Sequence, residues 1–205
     1  MPQTVNLTFP FRGRWLVQNS PANRVPSHGT DAFASTYAID FVPVDARGRT
    51  ARFSIASLLH PEPPDLFPGF GRPITAPAIG VVAAVHDGET DHDAFRGLPS
   101  VRYALTQHRR AARGWRALAG NHVIIEIGPG EVVALCHLQQ GSVTVSVGQP
   151  VAEGDVLGRC GNSGNSTEAH VHVQVMDAVD PERATAVPVR FDEWLPRNRE
   201  IVEIA

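Results

Sequence analysis

The sequence predicts an all-β protein built on an antiparallel sheet, and three observations carry that prediction. Apolar residues fall in short strand-length runs, as in His122–Ile127, Glu131–Leu138 and Val171–Val175. Turn residues separate these runs, most plainly Gly128-Pro129-Gly130 between the first two, where a hairpin is expected. Over 205 residues there are 18 Gly and 17 Pro against two Met, a composition of many turns and short strands rather than of a helix bundle.

In chain order, residues 1–27 read as irregular or strand-like, with Phe9, Phe11 and Trp15 as aromatic anchors. Residues 36–42, Thr-Tyr-Ala-Ile-Asp-Phe-Val, have strong β character. Residues 43–73 are Pro-rich and read as loop, with a short helix near Ser54–Leu59. Ile74–His86 reads as two strands around a turn. Residues 87–120 change character, being polar and Arg-rich at Arg109, Arg110, Arg113 and Arg116. They read as an insertion with a helix at 103–113, a basic cluster that is a solvated face, and two bystander histidines, His92 and His108. After the 121–138 hairpin, Gly141–Val147 and Val151–Cys160 read as two further strands, and Val187–Phe191 as the last. The expected organisation is a single domain over 1–205, with a core at about 28–86 and 121–176, the 87–120 insertion and a C-terminal extension at 177–205.

Composition narrows the function classes. A net charge of −3 gives no electrostatic reason to expect a nucleic-acid partner. No apolar run approaches the roughly 18 residues that a membrane span needs. The N-terminal stretch lacks a basic leader and an apolar core, so no secretory signal is expected and the cytoplasm is the default location. Cys136 and Cys160 both sit in apolar, strand-like runs and read as small buried hydrophobes, a disulfide between them being the minority expectation.

The chemistry concentrates after the Gly/Asn/Ser-rich loop 161–166. In a strand, residues i and i+2 share a face, so His170 and His172 project together while Val171, Val173 and Val175 enter a core. Two converging imidazoles begin a metal site, because zinc takes neutral His nitrogens readily. Alone, the pair reads equally well as two surface histidines. A second anomaly is Asp40, an acid between Ile39 and Phe41, which is costly to bury unless it is paired or binds a metal. His28, in the Gly-containing approach to that strand, can fold back onto it.

Taken together, His28, Asp40 in Tyr-Ala-Ile-Asp-Phe, His137 in Cys-His-Leu and His170-Val171-His172 resemble the M23 family of zinc metallopeptidases, the lysostaphin-like and LytM-like enzymes. Leu135–Gly158 and Ile74–Val82 also read like that family's core. The resemblance implies a lysostaphin-like sheet or sandwich of the duplicated hybrid motif type. It implies one Zn2+ per chain held by His28, Asp40 and His172, with His137 and His170 as catalytic groups beside it. It also implies hydrolysis of peptide bonds, in peptidoglycan cross-links or a similar small peptide. Three protein ligands plus water is how catalytic zinc sites are built. One departure concerns spacing: many members have His and Asp four residues apart, and here position 32 is Ala, so Asp31 competes weakly with Asp40 as ligand. Another is that this sequence shows no export signal, whereas the family usually works outside the cytoplasm: either a leader has been removed, or export takes another route, or the substrate is a different peptide. A catalytically silent M23-like interaction or regulatory module is the alternative, disfavoured because all five positions are filled. A biotinyl- or lipoyl-like carrier is set aside for want of a Lys on the relevant hairpin. Trp15 and Trp115 are candidate groove contacts.

Overall fold

The computed structural model describes residues 4–52 and 54–205. The strands are β1 (Val5–Leu7), β2 (Gly13–Gln18), β3 (Ile39–Pro43), β4 (Pro73–Thr75) and β5 (Gly80–His86). Three short helices follow, α1 (Gly97–Leu105), α2 (Gln107–Ala111) and α3 (Trp115–Ala119). The chain then continues through β6 (Asn121–Gly128), β7 (Glu131–Leu138), β8 (Pro150–Val151), β9 (Val156–Arg159), β10 (Val171–Met176), β11 (Val189–Phe191) and β12 (Ile201–Ile204). Eight strands form one antiparallel sheet in the order β12-β2-β3-β10-β7-β6-β5-β8. The expected all-β, antiparallel architecture is therefore what the chain adopts.

β10 lies at the middle of this sheet, between β3 and β7, and its alternation explains why. Val171, Val173 and Val175 are fully buried in the main core with Ile39 and Phe41 of β3 and Val133 and Leu135 of β7. Burying each such side chain contributes about 1.5–3 kcal/mol, and one valine face on a central strand recruits a neighbour from each side. Phe9, Phe11, Phe41 and Phe191 close that layer, with ring centroids 5.0–5.8 Å apart among those in contact. The opposite face of β3, β10 and β7 is left to Asp40, His172, Gln174 and a smaller apolar cluster around Trp115, Ala119, Cys136 and Met176.

The structure corrects several details. β1 and β11 pair in parallel, so the chain is not wholly antiparallel; nearly the whole chain separates them, which provides the crossover that parallel pairing needs. No strand forms over 141–147: the Asp87 carboxylate takes the N–H groups of Gly141 and Val143, and those groups are then lost to any ladder. β4 and β5 do not pair with each other but with β9 and with β6 and β8 respectively. Helix spans 97–119 in three pieces rather than 103–113 in one. Trp15 is fully buried, stacked on Phe11 at 4.2 Å, and is a core residue rather than a groove contact. Both cysteines are free thiols.

Candidate functional site

The sheet register brings the sequence candidates together. His172 lies directly opposite Asp40 on β3 and opposite Cys136 on β7. His28 reaches the same place from the loop before β3, its Nε2 3.0 Å from Asp40 Oδ2, and His172 Nδ1 is 2.9 Å from Asp40 Oδ1. His28, Asp40 and His172 each offer a ligand atom, all within 4.8 Å of one another. Asp31 is exposed and outside this group. His170 joins from the foot of β10, with Nε2 3.8 Å from Asp40 Oδ1.

His137 arrives by a different device. Simple alternation along β7 would send it into the main core beside Val133 and Leu135. A bulge intervenes: Asn121 faces Leu138 and Val123 faces Leu135, so His122 alone opposes both Cys136 and His137. His137 takes φ +63°, a left-handed conformation that bulges use to re-aim a side chain. Its imidazole thereby turns onto the site face, 4.6 Å from the His170 ring and 5.9 Å from that of His172, while Leu138 returns to the core.

Asp40 is 6% exposed, and an unpaired carboxylate there would cost several kcal/mol, more than a core side chain contributes. Its partners remove that cost. Burial pushes its pKa up, but the facing imidazoles of His28 and His170 and hydrogen bonds from His172 and His28 hold it well below the usual carboxylate range; the Asn19 amide also donates to its Oδ2 at 2.7 Å. For His137 burial dominates, and with His170 and His172 nearby it drives the pKa well below the ordinary imidazole value, so the ring is neutral at pH 7.

The outer contacts test whether these residues fit a metal. Gln174 Nε2 donates to Phe33 O, which turns its Oε1 towards His172 Nε2 at 3.1 Å, so that nitrogen carries the proton. Ser27 Oγ donates to Ser35 O and accepts from His28 Nδ1 at 3.0 Å. His137 Nδ1 donates to Ser163 O at 2.9 Å, and His170 Nδ1 to Glu168 O at 2.8 Å. With the outer nitrogens so engaged, the inner nitrogens of His172 and His28 face the Asp40 carboxylate at 2.9 and 3.0 Å. In the metal-free chain they donate to it, and a bound cation would replace those protons, leaving the two lone pairs and the carboxylate as its ligands. The donor set, two imidazoles and one carboxylate with oriented rings, fits zinc. Gln174→Met, of similar bulk but without an acceptor, is expected to weaken zinc binding about 10–100-fold in a chelator competition titration.

Asn19, Ser27, Gln174 and Ser163 were not among the sequence candidates. Gln174 had a signal, being two residues from His172 on the same face; the others had none. The site opens into a cavity of about 300 Å3 whose far wall is the helical segment, through Tyr103, Gln107, Arg110, Trp115 and Leu118. Trp115 thus lines the cavity. His92 is no bystander, for its Nε2 and the Tyr103 hydroxyl both contact Gly164 O in the loop that leads to His170. Arg110 holds Asn165 Oδ1 of the same loop at 2.6 Å.

Comparison with known proteins gives a family match. The model of Peptidase family M23 matches residues 103–184. Among solved structures, the chain is similar to a catalytic-domain variant of the prophage-encoded M23 protein EnpA from Enterococcus faecalis, at 18% identity and TM-score 0.43, covering 74% of this chain and 73% of that one. It is also similar to the catalytic domain of the antimicrobial peptidase lysostaphin from Staphylococcus simulans, at 17% identity and TM-score 0.41, covering 74% and 77%. The matched stretch, residues 103–184, carries His137, His170 and His172, so the similarity to peptidase family M23 falls on three of the five candidate residues.

Proposed function

We propose that the chain is a zinc-dependent endopeptidase acting on peptidoglycan cross-links or a short peptide of similar form. In this reading His28, Asp40 and His172 hold one Zn2+, and His137 and His170 move protons. The observation that carries it is the convergence of three ligand atoms within 4.8 Å, with two further imidazoles beside them. When bound, zinc would lower the pKa of a water towards ~7 and polarise a carbonyl.

The rest is work for the chain's own groups. A neutral His137, its Nδ1–H committed to Ser163 O, keeps the Nε2 lone pair free to accept a proton from an attacking water. His170, its Nδ1–H committed to Glu168 O, offers a second such nitrogen. The ring that takes this proton becomes an imidazolium, and it can then deliver that same proton to the leaving amine or donate a hydrogen bond to a developing oxyanion. A ligand set with a single carboxylate leaves the site net positive with the ion in place, which favours that oxyanion. The cavity beneath Tyr103, Gln107 and Trp115 is where the substrate chain would lie.

The test is zinc analysis joined to a cleavage assay. The purified chain is expected to carry about one zinc per molecule and to release peptides from cell walls. Chelation should abolish release, and added zinc should restore it. A zinc-loaded chain that cleaves no wall and no bridge peptide would instead mark a silent, interaction-type member.

A further inference from the structure

The helical segment is inside out. On α1, Leu98, Val101 and Leu105 follow i, i+3, i+7 spacing and form one stripe. Such a stripe ordinarily faces the core, yet these residues are 67%, 58% and 72% exposed. The face turned inwards carries Tyr103 instead, stacked on Phe95 at 4.4 Å and covered by the Arg110 guanidinium at 3.7 Å from its ring. Beside the stripe lies a short 3-10 turn, Ala56–Leu58, packed so closely that a Cβ on Gly97 would fall 2.6 Å from Leu58 O. That neighbourhood adds Ile55, Leu58 and Leu59, all exposed. Scattered exposed leucines need no explanation, but six large aliphatics from two adjoining segments mark a docking surface.

Charge identifies what docks. Residues 94–120 contain six arginines and no Asp or Glu, in a chain whose net charge is −3. The acids that touch the segment from elsewhere are Glu62, taken up by Arg96, and Glu182, which meets the N–H of Trp115. Arg110 is bonded to Asn165 and Tyr103, and Arg116 to His86. Arg102, Arg109 and Arg113 are exposed and make no side-chain ion pair or hydrogen bond among the described residues. A second copy of the same face would bring like charges together. A soluble polyanion would leave the aliphatic stripe unused. An anionic lipid surface uses both, with leucine and valine entering the headgroup boundary and arginines meeting phosphates.

We propose that the outward face of α1, with the adjoining 55–59 turn and the free arginines Arg102, Arg109 and Arg113, is a peripheral docking surface for an anionic lipid bilayer. The inference is independent of the peptidase reading, since none of these residues touches the His/Asp cluster.

Vesicle flotation of the full chain tests it, with phosphatidylglycerol–phosphatidylcholine and with phosphatidylcholine alone. The chain is expected to float with the anionic vesicles, to leave them as salt rises, and to ignore the neutral ones. Replacing Arg102, Arg109 and Arg113 by Gln should cut binding about fivefold per arginine removed. Replacing Leu98, Val101 and Leu105 by Ser should also abolish flotation while leaving binding to soluble polyphosphate unchanged. All six positions are exposed, so far-UV circular dichroism should match the native chain. No flotation with anionic vesicles, or equal flotation of the serine variant, would overturn the proposal. So would a dimer in sedimentation that the serine variant abolishes.

Discussion

His137→Ala is expected to bind zinc as the native chain does and yet to lose hydrolysis by about 10²–10⁴-fold, the usual contribution of a positioned proton-transfer group. The split follows from geometry. His137 is outside the three-atom ligand group but within 4.6 Å, centroid to centroid, of His170. Its Nδ1–H is anchored on Ser163 O, and burial keeps the ring neutral and able to accept a proton at pH 7. Alanine at φ +63° carries some backbone strain, so His137→Asn, a residue that tolerates the left-handed region, serves as the companion variant. Both should keep one zinc by metal analysis and lose turnover. A fully active His137→Ala enzyme on a cleavable peptide would show that this ring is not a proton carrier.

Asp40→Asn is expected to fail earlier, at metal binding. The amide is nearly isosteric but uncharged, and it would turn one N–H towards an imidazole lone pair. Zinc affinity should fall by more than the about 10–100-fold that loss of an outer partner brings, and activity should fall with it. His172→Ala should behave alike. The metal-free chain adds a second readout. Asp40 has a folded pKa well below 3.8, so its ionised form stabilises the fold fully above that ordinary value. That stabilisation is lost as pH falls from 3.8 through the lower folded value, and denaturant titrations of native and Asp40→Asn chains should converge there. An Asp40→Asn chain with native zinc affinity would remove the carboxylate from the ligand set.

Much of the site could be read from the sequence because strands have a period of two. His170-Val171-His172 and Ile39-Asp40-Phe41 each announce which residues share a face, and the apolar partners decide which face is inside. What could not be read depended on register or on contacts far along the chain. Nothing in Leu135-Cys136-His137-Leu138 declares a bulge, yet without it His137 would point into the valine layer. The 141–147 stretch alternates like a strand but loses its N–H groups to Asp87, which lies more than fifty residues earlier. Trp15 resembles a groove aromatic until Phe11 is found stacked upon it. The roles of Tyr103, His92 and Arg110 in bracing the 162–166 loop are equally long-range.

The central place of β10 has a consequence for the timing of synthesis. Asp40 and His172 are 132 positions apart, and the strand bearing the second must slot between two that are made long before it. A ribosome that has delivered the first three-quarters of the polypeptide has therefore made β3 and β7 but not the strand that bears His172, and the three candidate ligand atoms cannot yet meet. On the proposed peptidase reading, the nascent chain would gain its activity only once β10 has inserted between the two earlier strands.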